Sequence, residues 1–539
     1  MKKRLSLLFV FCSLVFSQAL AFSPDNNYLT DRQALDTLQH DTFLYMWEHA
    51  HPESGMAYET SSGWVAGNLT VGGTGFGIAA IVVAVDRGWV TREQAVTRLL
   101  KITHFLRDKT PRKALHGAFP HWLNGEGSAV PFGHKDIGAD IVETSFLIQG
   151  LLIARAYFNG PGAEENLRSI ITQIWEDVDW DWFTAGLNNG IHWHWSLEKN
   201  FDMGIRILGY NECLVTYILA LASPSHPISR KAYDYWTSGK GYQPKTAYGY
   251  AIEASLPSQG PLFLVHYSFI GLDPRRMADS FVPNGYFVRN IKQALSNRGY
   301  CIQNAPARNK YSANVWGLTA SYIKNGYAAN EPAKDSGTIA PTAALSSMPY
   351  TPHYSMQFLQ YINTDLREKI WGKFGPYDAF SLRDNWFSDS YLAISQLPIV
   401  CMVENYRSGL LWELFMSDTD VRRGLRLAGI HEPNLGTGFP EAVVTLKRQG
   451  NGYAPDAYEI RRHPDTDLYA VPYWCDEAEE VFFTLTNTED VMLFSQKNYA
   501  SKGRNSLRFP QFSIPLTGEL LTLTMQAGGK AYTLPLRLY

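Results

Sequence analysis

Cysteine is scarce in this chain, with five residues among 539. Cys12 sits in an apolar leader behind Phe11, a poor context for lipid attachment, and Cys213, Cys301, Cys401 and Cys475 lie far apart. That spacing excludes a disulfide scaffold and a cysteine-rich metal site, so buried free thiols are expected. An excess of basic charge is also missing: 48 Lys and Arg stand against 51 Asp and Glu, so there is no footprint for nucleic acid. Beyond the leader no apolar run is long enough to span a membrane. No GxSxG elbow, P-loop or HExxH is present. Asp177, Asp179 and Asp181 space like the start of a calcium loop, but Trp182 takes the place of the required glycine. His192 and His194 in IHWHWS lack a third ligand nearby and read as lining of a cleft. Neither a metal nor a cofactor is expected.

The leader has its own logic. Lys2, Lys3 and Arg4 precede an apolar stretch, Leu5 to Phe16, and an Ala19-Leu20-Ala21 cleavage site. Residues 1–21 are predicted to be a signal peptide cut after Ala21, giving a periplasmic or secreted protein. The leader holds three basic residues and no acid, so its loss takes the formal net charge from -3 to -6.

Apolar and aromatic residues are abundant: 45% hydrophobic, 14% aromatic, with 15 Trp and 30 Tyr. Most belong in a core, and flat rings also pack on the apolar faces of sugars. From about 30 to 430 the pattern is helical. TREQAVTRLLKITHFLRD (91–108) opens with a capping-box pair, Thr91 and Gln94, and puts its apolar residues on one side. Residues 75–88, 141–154 and 212–222 are instead apolar all round, and such helices must be surrounded by protein. Buried and amphipathic helices together predict a mainly α fold of two concentric layers, an (α/α)6 barrel. After about 440 the runs AVVTLKRQ, EVFFTLTNT, VMLFSQ, SLRFPQFSI and LLTLTMQ read as strands. The expected domains are 22–440, helical and catalytic, and 441–539, a small β-sandwich-like unit.

KDIGADIVETSFLIQGLLIARAYF (135–158) is a strongly apolar helix whose entrance carries Asp136, Asp140 and Glu143, spaced i, i+4, i+7 on a face shared with Leu147 and Gly150. Capping explains Asp140 and Glu143 as a pair. A cleft explains all three. LGYNECLVTYILALASP (208–224) repeats the pattern, with Asn211 as a candidate N-cap and Glu212 in the first turn of a helix that has no other charge. The alternative is an ion pair to Arg206 or Arg407. In a toroid the inner helices begin at one end, so both acid groups would ring one cleft. Glycoside hydrolysis needs such carboxyl pairs, one to protonate the leaving oxygen and one to activate water or attack. Glu404 and Arg407, i and i+3 in an apolar helix, are either an intrahelical salt bridge or sugar contacts.

Seven segments together resemble the bacterial glucoamylase-like family, and within it the endo-β-1,2-glucanases of glycoside hydrolase family 144. They are FLYMWEHAHPESG (43–55), TGFGIAAIVVAVDRGWVTREQA (74–95), GAFPHWLNGEG (117–127), DIGADIVETSFLIQGLLIARAYF (136–158), YNECLVTYILALASPSHP (210–227), GTIAPTAALSSMPYTPHYSM (337–356) and ENYRSGLLW (404–412). The resemblance implies an (α/α)6 barrel, export and inverting attack on β-1,2-linked glucose polymers; a monomer is expected. By motif, Asp136, Asp140, Glu143 and Glu212 match the cleft acids, with Glu212 as general acid. Trp122, His194, Trp195, Tyr350, Glu404 and Arg407 are the expected substrate contacts. One departure stands out. Where the family pattern reads Ala-Ile-Asp-Gln-Gly-Pro, this chain has Ala393-Ile394-Ser395-Gln396-Leu397-Pro398, with Asp389 six residues earlier as the candidate substitute. Two other readings compete: a polysaccharide lyase using His134, Tyr210 and Arg206, and a glycan-binding protein of weak activity, motivated by Ser395.

Overall fold

The computed structural model describes residues 31–63, 65–433 and strand-bearing stretches between 458 and 538. The expected signal peptide of 1–21, the run AVVTLKRQ and the expected domain border at 440 lie outside these residues. Fourteen helices are described: α1 (Asp31–Glu48), α2 (Val71–Asp86), α3 (Arg92–Asp108), α4 (Ile141–Tyr157), α5 (Ala163–Glu176), α6 (Leu214–Ala222), α7 (Arg230–Thr237), α8 (Tyr286–Gln303), α9 (Pro341–Leu345), α10 (Pro352–Thr364), α11 (Arg367–Ile370), α12 (Ala393–Arg407), α13 (Leu410–Ser417) and α14 (Thr419–Ala428). None of them is long and apolar enough to cross a membrane.

The two expected kinds of helix are both present. Residues Val71 to Ala84 of α2, Ile141 to Ala154 of α4 and all of α6 are buried without interruption. By contrast α3 buries one stripe, Ala95, Val96, Leu99, Ile102, Phe105 and Leu106, and α5 another around Leu167, Ile171 and Trp175. The capping box of α3 forms as the sequence predicts: Thr91 Oγ1 accepts from the Gln94 amide at 3.2 Å, and Gln94 Oε1 accepts from the Thr91 amide at 2.8 Å.

The inner helices begin at one end. Gly75 and Gly150 let α2 and α4 touch backbone to backbone: a Cβ on Gly75 would lie 2.2 Å from the Phe146 carbonyl oxygen, and one on Gly150 1.9 Å from that of Gly75. The first turns of α4 and α6 are joined by the hydroxyls of Ser145 and Thr216 at 2.7 Å. A Cβ on Gly73 would lie 2.9 Å from the Ala393 Cβ, which brings in the start of α12. In succession α6, α4, α2 and α12 pack each on the next.

One helix start differs from the sequence expectation. α6 begins at Leu214, so Glu212 stands in the turn before it. Asn211 caps that turn, its Oδ1 accepting from the Cys213 amide at 3.1 Å. An Asx residue serves a turn as readily as a helix, and composition does not separate the two.

The C-terminal strands form a five-stranded sheet, in the order Tyr458–Ile460, Lys530–Leu538, Leu521–Ala527, Glu479–Thr486, Met492–Ala500, and a pair, Leu468–Cys475 with Gly503–Pro510. Their inward residues, among them Val471, Tyr473, Leu507, Val481, Phe483 and Leu523, make one apolar cluster that shares no member with the helical core. Cys213, Cys301, Cys401 and Cys475 are buried free thiols.

Candidate active site

Where the first turns meet, a cavity of about 340 Å³ opens, with Glu59, Glu143 and Glu212 in its lining. Trp122, Phe132, Trp193, Tyr322 and Tyr327 supply aromatic walls. Tyr322 and Tyr327 face each other across the hairpin Ala320–Ile323/Gly326–Ala329. A concave apolar site with a few converging polar groups is the ordinary form of a small-molecule site.

Asp140 anchors this end of α4 as its N-cap. Its Oδ1 accepts from the Val142 and Glu143 amides, both at 2.9 Å. Its Oδ2 takes a hydrogen bond from Trp193 Nε1 at 3.1 Å and lies 3.1 Å from His121 Nδ1 and 3.5 Å from His194 Nε2. Burial pushes this carboxyl up, but the hydrogen bonds and charges of the two imidazoles outweigh it and hold Asp140 well below the usual carboxylate range. Asp136 lies behind, 3.3 Å from His194 Nε2 and 3.9 Å from His121 Nδ1. Burial, helped by the charge of Asp140, raises its pKa despite both histidines. The imidazoles respond in kind. Burial alone would lower His121, but the charge of Glu143 and the contact with Asp140 push it up to about 10. The two aspartates likewise overcome burial and push His194 up to about 9. Phe132 stacks on His121 with ring centroids 4.5 Å apart.

The same donor geometry bears on metal binding. Atoms of His121, Asp136 and Asp140 lie within 4.8 Å of one another, as do those of Asp179, Asp181 and His226 nearer the surface. In the first group the His121 imidazole lies 3.1 Å from Asp140 and 3.9 Å from Asp136.

Glu143 and Glu212 are the cavity acids whose carboxyls are raised. Glu143 Oε2 accepts from the Gly72 amide at 2.8 Å, a contact possible because α2 and α4 lie so close. Burial is the main cause that pushes its carboxyl up to about 8. Glu212 is held through its backbone, with Ser268 Oγ donating to its carbonyl oxygen and accepting from the Val215 amide. Burial first, and then the Asp140 charge, push its carboxyl up to about 7. No described residue forms an ion pair with it. Arg206 donates to the Asn189 carbonyl at 2.8 Å and lies 2.6 Å from His192 Nε2.

The other expected contacts divide. Trp122 lines the cavity, and His194 lies beside it through Asp136 and Asp140. Trp195, opposite Ala139 in a two-residue ladder, packs edge-on against His116 and Trp182. Tyr350 is buried, donating to the Val265 carbonyl at 2.9 Å. Glu404 is fully buried in a two-pronged pair with Arg87, both contacts 2.8 Å, and Arg407 reaches Asp36 at 2.8 Å and Gln39 at 2.7 Å. They are neither cavity-lining residues nor an intrahelical pair, because partners from α1 and the end of α2 claim them. Asp389 is exposed and Ser395 buried. Of the lyase residues, His134 is exposed, and Tyr210 is buried under the Arg289 guanidinium, 4.1 Å above its ring. Sequence reasoning missed Glu59, His121 and Trp193. The last two flank residues it had singled out, Trp122 and His194, and that adjacency was the available signal.

Residues 204–419 match the glycoamylase family model, described as "Putative glucoamylase". An exo β-1,2-glucooligosaccharide sophorohydrolase of Parabacteroides distasonis is 40% identical over 423 residues, which are 74% of this chain and 58% of that protein. The chain thus spans little more than half of that relative's length. The endo-β-1,2-glucanase of Chitinophaga pinensis, solved with sophorotriose and glucose, is 46% identical with a TM-score of 0.72, over 76% of this chain and 100% of that one. A β-1,2-glucanase structure from Parabacteroides distasonis is 40% identical with a TM-score of 0.71, over 75% of this chain and 60% of that one. The Talaromyces funiculosus endo-β-1,2-glucanase, at 10% identity and a TM-score of 0.51 over 74% of this chain and 92% of that one, shares the fold alone. At 46% identity across the full length of a solved relative, this chain belongs to the glucoamylase-like family.

Proposed function

We propose that this chain is an exported glycoside hydrolase that cleaves β-1,2-glucan, endo-acting and inverting, on an (α/α)6 toroid of residues 22–440 with a β-rich unit at 441–539. The observation that carries the chemistry is Glu212, an acid without an ion-pair partner among the described residues, raised to about 7 in an aromatic-lined cavity. A carboxyl so placed keeps its proton near neutrality and can give it to a glycosidic oxygen as the bond breaks. Glu143 would hold sugar hydroxyls, while Asp140 and Asp136, with His121 and His194, would fix the shape and charge of the wall behind it. Trp122 and Trp193 would pack on pyranose faces. The relatives support the linkage, since those at 40 and 46% identity are named for β-1,2-glucan or its oligosaccharides.

The test is a screen of the purified protein on β-1,2-, β-1,3- and mixed-linkage glucans, with products read by chain length. Short β-1,2-linked products from the first substrate are expected, and Glu212→Gln should lower turnover about 10³-fold at unchanged fold. Near-normal turnover by that variant would remove Glu212 as the acid. Activity confined to another linkage would remove the substrate assignment.

A further inference from the structure

Glu59 enters the cavity from a wall other than that of Glu212. Its backbone is tied on both sides: its amide donates to the Asn68 carbonyl at 2.8 Å, and its own carbonyl accepts from the Ala393 amide at 3.0 Å. Thr60 bridges to Leu392, so the segment is fixed against the first turn of α12, whose Leu392 and Ile394 also line the cavity. Glu212 precedes α6, and α4 and α2 come between these two helices in that succession.

Glu59 is half-buried, yet no described residue donates a hydrogen bond to its carboxylate or forms an ion pair with it. The other acids are engaged. Glu143 accepts from the Gly72 amide, Asp140 caps α4 and meets two histidines and a tryptophan, and Asp136 lies against His194. Asp378, close to Ser395, is fully enclosed with its Oδ2 accepting from the Tyr322 amide at 2.6 Å. A partly desolvated carboxylate without a protein partner must take its hydrogen bonds from water or a ligand.

We propose that Glu59 is the general base of the hydrolysis, resting on the reading of Glu212 as general acid. Glu59 takes a proton from a water molecule as the water oxygen bonds to the anomeric carbon. The bond from that carbon to the glycosidic oxygen breaks, its electron pair stays on the oxygen, and the oxygen takes the Glu212 proton. The step leaves a hemiacetal, an alcohol, protonated Glu59 and ionised Glu212, and exchange with solvent restores both. Ser395, on α12 beside this segment, brings no carboxylate to this wall, and Glu59, in the segment bridged to Leu392, does.

The test compares the full-length protein with Glu59→Gln, Glu212→Gln and Asp389→Asn, on β-1,2-glucan and on a β-sophoroside carrying a dinitrophenol leaving group. A good leaving group needs no proton from an acid but still needs an activated water. Glu212→Gln should therefore fail on glucan and keep most of its rate on the aryl substrate. Glu59→Gln should lose about 10³-fold in kcat on both, with little change in KM and an unaltered melting temperature. Asp389→Asn should stay within about twofold of wild type on both, as a surface change away from the site does. The first-formed sugar should be the α-anomer by NMR. Glu59→Gln retaining more than a tenth of the aryl-substrate rate, Asp389→Asn producing the double loss in its place, or a first-formed β-anomer would each overturn the assignment. A wild type inert on every glucan and on the aryl substrate would instead overturn the reading beneath it.

Discussion

The residue that organises the site is Asp140, which serves as helix cap with one oxygen and as counter-charge with the other. Substitutions can separate the two jobs. Asn at 140 keeps a capping oxygen but removes the charge from His121 and His194, so Asp140→Asn should cost about 1–3 kcal/mol at pH 7, read by urea denaturation. Asp140→Ala should cost about 1 kcal/mol more through the lost cap. Equal stability of Asp140→Asn and wild type would mean that the charge network contributes nothing. The residue scale is also where the sequence was most unevenly legible. Acids at the mouths of apolar helices stand out, so Asp136, Asp140, Glu143 and Glu212 could be found. Glu59 comes from a segment without periodicity and could not, and His121 was signalled only by its neighbour Trp122. Glu404 and Arg407 show the opposite failure: spacing within one helix says nothing about Arg87 or Asp36, which arrive from elsewhere in the chain.

Among the elements, the crossing of α2 and α4 places the acids. Gly75→Ala would drive a Cβ into the Phe146 carbonyl and force the helices apart. A cost of about 1–3 kcal/mol is expected, together with a fall in kcat as Glu143 loses the Gly72 amide. Thermal melts and initial rates on β-1,2-glucan check both. A variant as active and stable as wild type would show that the close approach is dispensable. Helices themselves were readable: uninterrupted apolar runs and the Thr91 capping box correspond to α2, α4 and α3. The start of α6 was misjudged by two residues because an Asn cap marks a turn as well as a helix. Strand runs in the tail were legible from alternation, as in Leu521–Ala527, where alternate residues are buried.

For the molecule as a whole, the raised groups all act in one direction with pH. The folded-state pKa of Glu212, at about 7, and of Glu143, at about 8, exceed the ordinary 4.5; those of His194, about 9, and His121, about 10, exceed 6.5. Each group binds its proton more tightly in the folded state, so its contribution is greatest below the ordinary value and shrinks as pH rises through the folded one. Asp140 works oppositely, losing its contribution as pH falls below the carboxylate range. Stability should therefore peak at mildly acid pH and decline from about 5 towards 10, which melting temperatures across that range will register. A melting temperature that climbs between pH 6 and 9 would contradict these protonation states. At this scale the change in hydrophobic period along the sequence separates helix-bearing from strand-bearing stretches, while the meeting of α12 with α2 was hidden because it joins segments more than 300 residues apart.

The glycine contact between α2 and α4 has a practical meaning for anyone altering this site. Glu143 is held by the Gly72 main-chain amide, and short of proline at 72, which carries no N–H, no substitution deletes that donor. Its acidity is thus almost closed to direct engineering at the donor. Selection for work at a different pH would be steered towards side chains that can be exchanged, His121 and Phe132 first, and libraries built there should outperform those built on the helix crossing.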